Sequence, residues 1–128
     1  LGRRADWPVG RYSTFAGFVE AGEYAEHALI REIAEEAALT VLPEGIDYRG
    51  SQPWPFPASL MLGYHVHVAS MDSTPDGEEI VDVRWFTRDE LICAIHGGDV
   101  VLPPRVSIAR RLIEDWLGHP VSGDNPWR

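Results

Sequence analysis

The order of elements in this chain predicts a fold that combines helices with a β-sheet. Strand-like segments lie on both sides of one amphipathic helix near residues 24–38, and more strands and two short helices follow. Alternating and helical patterns follow one another within 128 residues, a length that suits one compact domain with its own core. Elements in this order pack either as an α+β arrangement or as a sheet between helices, an α/β/α sandwich.

Residues 1–16, LGRRADWPVGRYSTFA, mix basic, aromatic and turn residues, and Trp7-Pro8 with Gly10 predict a loop between short strands. Tyr12 to Phe15 is expected to be a strand leading into a turn at Gly17. Glycine there lets the backbone turn tightly and approach a ligand. Phe18-Val19 extends the segment before Gly22. A helix is predicted from about Tyr24 to Ala38, with Ala25, Ala28, Leu29, Ile33 and Ala37 as its apolar face.

Thr40-Val41-Leu42 opens a segment that Pro43-Glu44-Gly45 interrupts, and Ile46 to Gln52 reads as an extended run. In SQPWPFPASLM, residues 51–61, three prolines alternate with Trp54 and Phe56, which predicts a stiff loop and excludes both a helix and a central strand. Leu60 to Ala69 alternates as a strand, with His65 and His67 on one face expected to meet water. Ser70 to Gly77 is a polar loop, and Glu78 to Phe86 another strand. Thr87 and Glu90 form a capping box for a short helix to Ile95. Ser107 caps a last helix from Ile108 to about Leu117, with Ile108, Leu112, Ile113 and Trp116 on one side. The tail after Leu117 is turn-rich and expected to be loosely held.

The formal net charge is −9 and the pI is near 4.9. Such a balance argues against a basic surface that tracks long nucleic acid. A small anionic substrate remains compatible, because bound metal inverts the local charge. Cys93 is the one cysteine, so an internal disulfide and a multi-cysteine zinc site are excluded. Its neighbours Leu91, Ile92, Ala94 and Ile95 predict a buried, inert thiol. A reducing cytoplasm is the expected location. No apolar run approaches the ~20 residues of a membrane helix, and no signal-peptide pattern is visible. The chain opens on Leu1, not Met, and is expected to be the C-terminal part of a longer protein.

The chemistry concentrates in two stretches. Glu32, Glu35 and Glu36 stand at i, i+3 and i+4 and share one side of the predicted helix. Crowded carboxylates repel, and a hard divalent cation such as Mg²⁺ or Mn²⁺ removes that penalty with oxygen ligands. The competing reading is an ordinary solvated acidic face. In residues 51–61 the prolines hold Trp54 and Phe56 ready to stack on a flat ring, while Ser51 and Gln52 offer hydroxyl and amide groups for polar edges. The plainer alternative is a rigid loop packed on the core.

Gly17, Glu23, Arg31, Glu32, Ile33, Glu35, Glu36 and Leu39 fall in register with the signature of the Nudix hydrolases, which this stretch resembles at every specified position but one, where Ala38 stands for glycine. Ser51 to Pro57 with Ser59 is similar to the SQPWPFPxS array that marks the NADH pyrophosphatase, or NAD-decapping, subfamily. Trp7-Pro8-x-Gly10, DGEEIVDVRWF and PPRVSIARRLI extend the likeness over most of the chain.

The resemblance implies a Nudix-type α/β/α sandwich with a mixed β-sheet, one domain over residues 1–128. A first strand and an upstream region with a zinc ribbon would lie outside it. It implies Mg²⁺ or Mn²⁺ on Glu32, Glu35 and Glu36, with Glu79 as the extra metal ligand from outside the box. Arg31 is expected to orient the carboxylates by pairing with Glu23, which makes Glu23, Arg31, Glu32, Glu35 and Glu36 the catalytic group. Substrate contacts are expected from Phe18, Ser51, Gln52, Trp54, Phe56, Ser59 and the main chain of Ala109. The implied reaction is hydrolysis of the pyrophosphate of NADH and NAD⁺ to nicotinamide mononucleotide and AMP, extending to removal of an NAD cap from RNA 5′ ends. Members of the subfamily are homodimers. Two other readings are a Nudix hydrolase of another nucleoside diphosphate derivative, such as ADP-ribose, and a non-catalytic nucleotide-binding module; the intact carboxylates argue against the module. Ala38 is expected either to cost ~1 kcal/mol at the helix end or to let the helix run on.

Overall fold

The computed structural model describes residues 1–127. Its elements are β1 (Gly2–Arg4), α1 (Ala25–Ala37), β2 (Val41–Trp54), β3 (Ser59–Val68), β4 (Ile80–Val83), α2 (Arg88–His96) and α3 (Ile108–Leu117). Two antiparallel ribbons carry the strands, β1 with β4 and β2 with β3. Single bridges widen the first. Gly2 exchanges both backbone hydrogen bonds with Ser13, and Arg11 forms a parallel bridge with Val101 through the Tyr12 and Val101 amides. Parallel and antiparallel pairings therefore both occur, but Tyr12 to Phe15 contributes bridges and not the expected strand. The strand in this region is Gly2-Arg3-Arg4, which β-propensity alone does not reveal. It forms because β4 pairs along it and Ser13 bonds Gly2 from the opposite side.

The long ribbon is covered on both faces. Gly63 and His65 point the same way along β3; an added Cβ on Gly63 would meet Ile108 and Leu112 of α3, and His65 Nε2 lies 2.9 Å from the Leu112 carbonyl oxygen. Val66 and Val68 point the other way, into a cluster built on Ile33 and Ala37 of α1 with Leu39 and Val41. The ribbon thus lies between α1 and α3, as an α/β/α sandwich requires. His65 is correspondingly half-buried against α3, while His67 stays exposed. A second core joins α2 to α3 through Leu91, Ile95, Ile113 and Leu117, with Tyr12 and Val121 closing it.

β2 runs straight through Pro43-Glu44-Gly45, absorbing it as a register shift between Val41 and Ile46. It also runs into the proline-aromatic stretch, which is a hairpin tip and not a separate loop. Ser51 to Trp54 pair with Leu62 to Ser59, and the turn is confined to residues 55–58, with a cis Phe56–Pro57 peptide. Pro53 is tolerated because in a two-stranded ribbon every strand is an edge, so its missing N–H leaves no inner ladder broken.

The helix caps behave as the sequence predicts for α2 and α3. The Thr87–Glu90 box is complete, and the Ser107 hydroxyl accepts from the Arg110 amide. α1 does not run on: Ala38 turns left-handed at φ 53°, and its amide donates to the Ala34 carbonyl. Two further expectations fail. Cys93 is exposed, because α2 buries Leu91 and Ile95 while Cys93 lies about 200° round the helix from Leu91. The tail is held, not loose. Arg110 of α3 is fully buried and pairs with two carboxylates, Glu114 of the same helix at 2.8 Å and Asp124 of the tail at 2.7 Å, the latter with a side chain only 3% exposed. Val121 packs in the core, and the Trp127 amide donates to the Leu102 carbonyl.

A candidate metal-carboxylate active site on helix α1

Arg31 gathers the first group of predicted site residues. Its Nε and Nη2 grip both oxygens of Glu23, at 2.9 and 3.0 Å. Its Nη1 donates to Glu32 at 2.8 Å and to Glu35 at 3.2 Å, and Nη2 also reaches the Phe18 carbonyl at 3.0 Å. One guanidinium thus ties the Gly17–Glu23 loop to the helix. The Arg31 hydrogen bonds hold the Glu23 carboxyl down at about 2, with the Glu20 amide adding to the effect. They push the Arg31 pKa up in turn. Gly17 is a close approach: a Cβ there would fall 2.1 Å from Glu32 Cδ, so the backbone lies flat on that carboxylate.

The three helix glutamates do not share one environment. Glu35 is 60% exposed and Glu32, against Arg31 and the Gly17 backbone, 19%, while Glu36 is only 3% exposed. Glu36 flanks Ala37 and lies one turn after Ile33, so it is drawn to the apolar side of the helix. Its Oε2 has no hydrogen-bond partner. Burial pushes the Glu36 carboxyl up to about 8, and the carboxylates of Glu79, Glu32 and Asp76 push the same way. Glu79 therefore faces the helix from the loop before β4. Two facing carboxylates are stable only if they share a proton or hold a cation.

That loop is bonded to the end of α1. The Thr74 amide donates to the Ala37 carbonyl at 2.9 Å and the Asp76 amide to the Glu36 carbonyl at 3.2 Å, which satisfies two of the helix's last carbonyls. Asp76 was not among the predicted residues, although Asp76-Gly77 is a readable turn signal.

The predicted substrate residues divide. Phe18 stands by the carboxylates, its carbonyl on Arg31 and its ring 82% exposed. Trp54 and Phe56 sit at the hairpin tip in edge contact, with ring centroids 5.7 Å apart, and Phe56 is 75% exposed. Ser51 and Ser59 are exposed on the same hairpin. Gln52 is not left open for a ligand. Its Nε2 donates to the Val106 carbonyl and its Oε1 accepts from the Ile108 amide, both at 2.8 Å. Its amide instead staples β2 to the start of α3, beside Ala109.

The NUDIX domain profile matches residues 1–115. The chain belongs to the Nudix family. Proteins named NAD-capped RNA hydrolase NudC are among its relatives. One from Mycobacterium bovis BCG Pasteur is 48% identical over 127 residues, 91% of this chain and 39% of its own length. One from Mycobacterium tuberculosis H37Ra is 47% identical over the same span. One from Pseudomonas syringae pv. syringae is 43% identical over 126 residues, 98% of this chain and 42% of its own. The chain thus spans about two fifths of the length of these relatives.

In this Nudix domain the box carboxylates do not close into a ready-made ligand set: among the described residues no group of three or more His, Cys, Asp or Glu is arranged to hold a metal ion. Arg31 bridges Glu32 and Glu35 instead. The donors nevertheless fit a hard divalent cation. Glu36 offers a buried oxygen with no partner, and Glu79 and Glu32 add oxygen donors beside it.

Proposed function

We propose that this Nudix domain is the catalytic part of a divalent-metal-dependent hydrolase that splits the pyrophosphate of NAD⁺ and NADH, and of NAD caps on RNA 5′ ends. The products are nicotinamide mononucleotide and AMP, or an RNA with a 5′-monophosphate. The observation that carries the reading is Glu36, a buried carboxylate that has one oxygen without a hydrogen-bond partner and the carboxylates of Glu79 and Glu32 as neighbours. The relatives' name supports the NAD-type substrate.

Glu36, Glu79, Glu32 and Glu35 would hold Mg²⁺ or Mn²⁺, which when bound neutralises pyrophosphate charge and lowers the pKa of an attacking water. The chain's own groups do the rest. Arg31 fixes Glu23 and Glu32 and anchors the Phe18 carbonyl, so the exposed Phe18 ring is presented beside the carboxylates. Phe18, Trp54 and Phe56 offer aromatic faces suited to the rings of a dinucleotide. Gln52 sets the start of α3, where the Ala109 backbone is offered to the substrate. The exposed Leu60 and Leu62 share the face of the hairpin opposite Trp54 and suit a second copy of the chain, which makes a homodimer part of the proposal.

The test is to incubate the chain with NADH, NAD⁺, ADP-ribose or NAD-capped RNA in Mn²⁺ and to identify the products by mass. The proposal expects mononucleotide products from NAD(H) and 5′-monophosphate RNA. Cleavage of ADP-ribose with NAD(H) untouched would sink the substrate assignment. Trp54→Ala with Phe56→Ala should lower discrimination between NADH and ADP-ribose while hydrolysis persists.

A further inference from the structure

The loop that brings Glu79 to Glu36 is organised by a single side chain. Asp76 Oδ1 accepts from two backbone amides at once, Glu78 at 3.1 Å and Ile80 at 2.8 Å. Glu79 lies between those two residues, so its backbone is clamped from both sides. Its own carbonyl accepts from the Ala5 amide at 3.1 Å, and the next residue, Ile80, is buried. Gly77, at φ 80°, lets the chain reverse, and its amide donates to the Ile80 carbonyl. The Asp76 amide in turn hangs on the Glu36 carbonyl. One residue therefore touches the backbone of the buried glutamate on one side and of both neighbours of the facing glutamate on the other.

We infer that Asp76 is a positioning residue: by accepting from the Glu78 and Ile80 amides it sets Glu79 against Glu36 and so determines how tightly the pair holds a divalent cation. The inference rests on the metal reading given above and deepens it. Asp76 needs no contact with the ion for this role. Groups of this kind tune a site by fixing the orientation of its ligands. A carboxylate suits the task because one oxygen takes two amides, which a neutral hydroxyl does less well. Its charge also adds to the repulsion at Glu36, so charge and geometry must be separated by experiment.

The experiment is Mn²⁺ binding, read as loss of the free-ion electron paramagnetic resonance signal, on the wild type, Asp76→Ala, Asp76→Asn, Asp76→Ser, Glu79→Gln and the Asp76→Ala/Glu79→Gln pair. Asp76→Ala should weaken binding ~10-fold or more, the range found for residues that orient metal ligands. Asp76→Asn keeps an acceptor oxygen without the charge and should stay within about twofold of wild type. Asp76→Ser, with a shorter reach, should fall between, and it decides the matter with Asp76→Asn should the alanine variant not fold. In the Glu79→Gln background Asp76→Ala should weaken binding no further, because its effect passes through Glu79. Wild-type binding by Glu79→Gln would overturn the metal reading of Glu79 and the inference with it. Weakened binding by Glu79→Gln with an additive Asp76→Ala effect, or an asparagine variant as weak as the alanine one, would overturn the inference alone.

Discussion

Replacing Glu36 with glutamine should stabilise the protein in a chelator while removing its function. The buried carboxyl is raised from 4.5 to about 8, chiefly by burial and then by Glu79. A carboxyl whose folded pKa lies above its unfolded one binds protons more tightly when folded, so the folded state loses stability as pH rises between the two values. Below about 4.5 both states are protonated and there is no penalty; above about 8 the penalty is constant. At about 1.36 kcal/mol per unit, the interval up to pH 7 gives at most roughly 3 kcal/mol. Relaxation and water penetration reduce this to about 1–2 kcal/mol. Glutamine keeps the shape and drops the charge. In EDTA, Glu36→Gln should therefore melt roughly 4–8 °C higher than wild type at pH 7–8, with the gap closing toward pH 5. Taking the difference between the two proteins cancels the other titrations, including Glu23, whose depressed pKa stabilises above 4.5 and is lost toward about 2. Adding Mn²⁺ at about 100 times its Kd should stabilise the wild type by about 2.7 kcal/mol and leave the glutamine variant unmoved. A variant that melts lower than wild type, or a gap that does not change with pH, would refute the reasoning.

Three further perturbations test neighbouring parts of the account. Ala38→Gly relieves the left-handed backbone at φ 53° and should raise the urea midpoint by the equivalent of about 0.5–1 kcal/mol, with the m-value unchanged. Gly17→Ala drives a Cβ to within 2.1 Å of Glu32 Cδ; the displaced carboxylate should weaken Mn²⁺ binding ~10-fold while circular dichroism stays as in wild type. Asp124→Ala takes from the fully buried Arg110 one of its two carboxylate partners, leaving Glu114 at 2.8 Å, and should cost about 1.5–3 kcal/mol in urea, with loss of hydrogen-exchange protection at the Val121 and Trp127 amides.

Much of the site was legible because local rules and global packing agree along α1. The spacing of Arg31, Glu32, Glu35 and Glu36 placed them on one helix, and Arg31 does join Glu23, Glu32 and Glu35. Spacing could not say that Glu36 is buried while Glu35 is not, since that depends on what packs against each side of the helix. The proline-aromatic stretch misled for a similar reason. Proline excludes a central strand, but β2 and β3 form an isolated ribbon whose edges accept it. Gln52 looked available until α3 came within reach of both ends of its amide, a contact across more than fifty residues. The tail read as loose because its turn residues dominate locally. The buried Arg110 that fixes Asp124 is visible only once α3 is packed.

The most direct test of the central claim is the cleavage of NAD⁺ by the 128-residue chain in ¹⁸O-water with Mn²⁺, the products analysed by mass spectrometry. The account predicts nicotinamide mononucleotide and AMP, one of them carrying a single ¹⁸O on its phosphate, and no reaction in EDTA or with Glu36→Gln. Release of free nicotinamide with ADP-ribose, or pyrophosphate cleavage that survives both EDTA and the Glu36→Gln change, would contradict it.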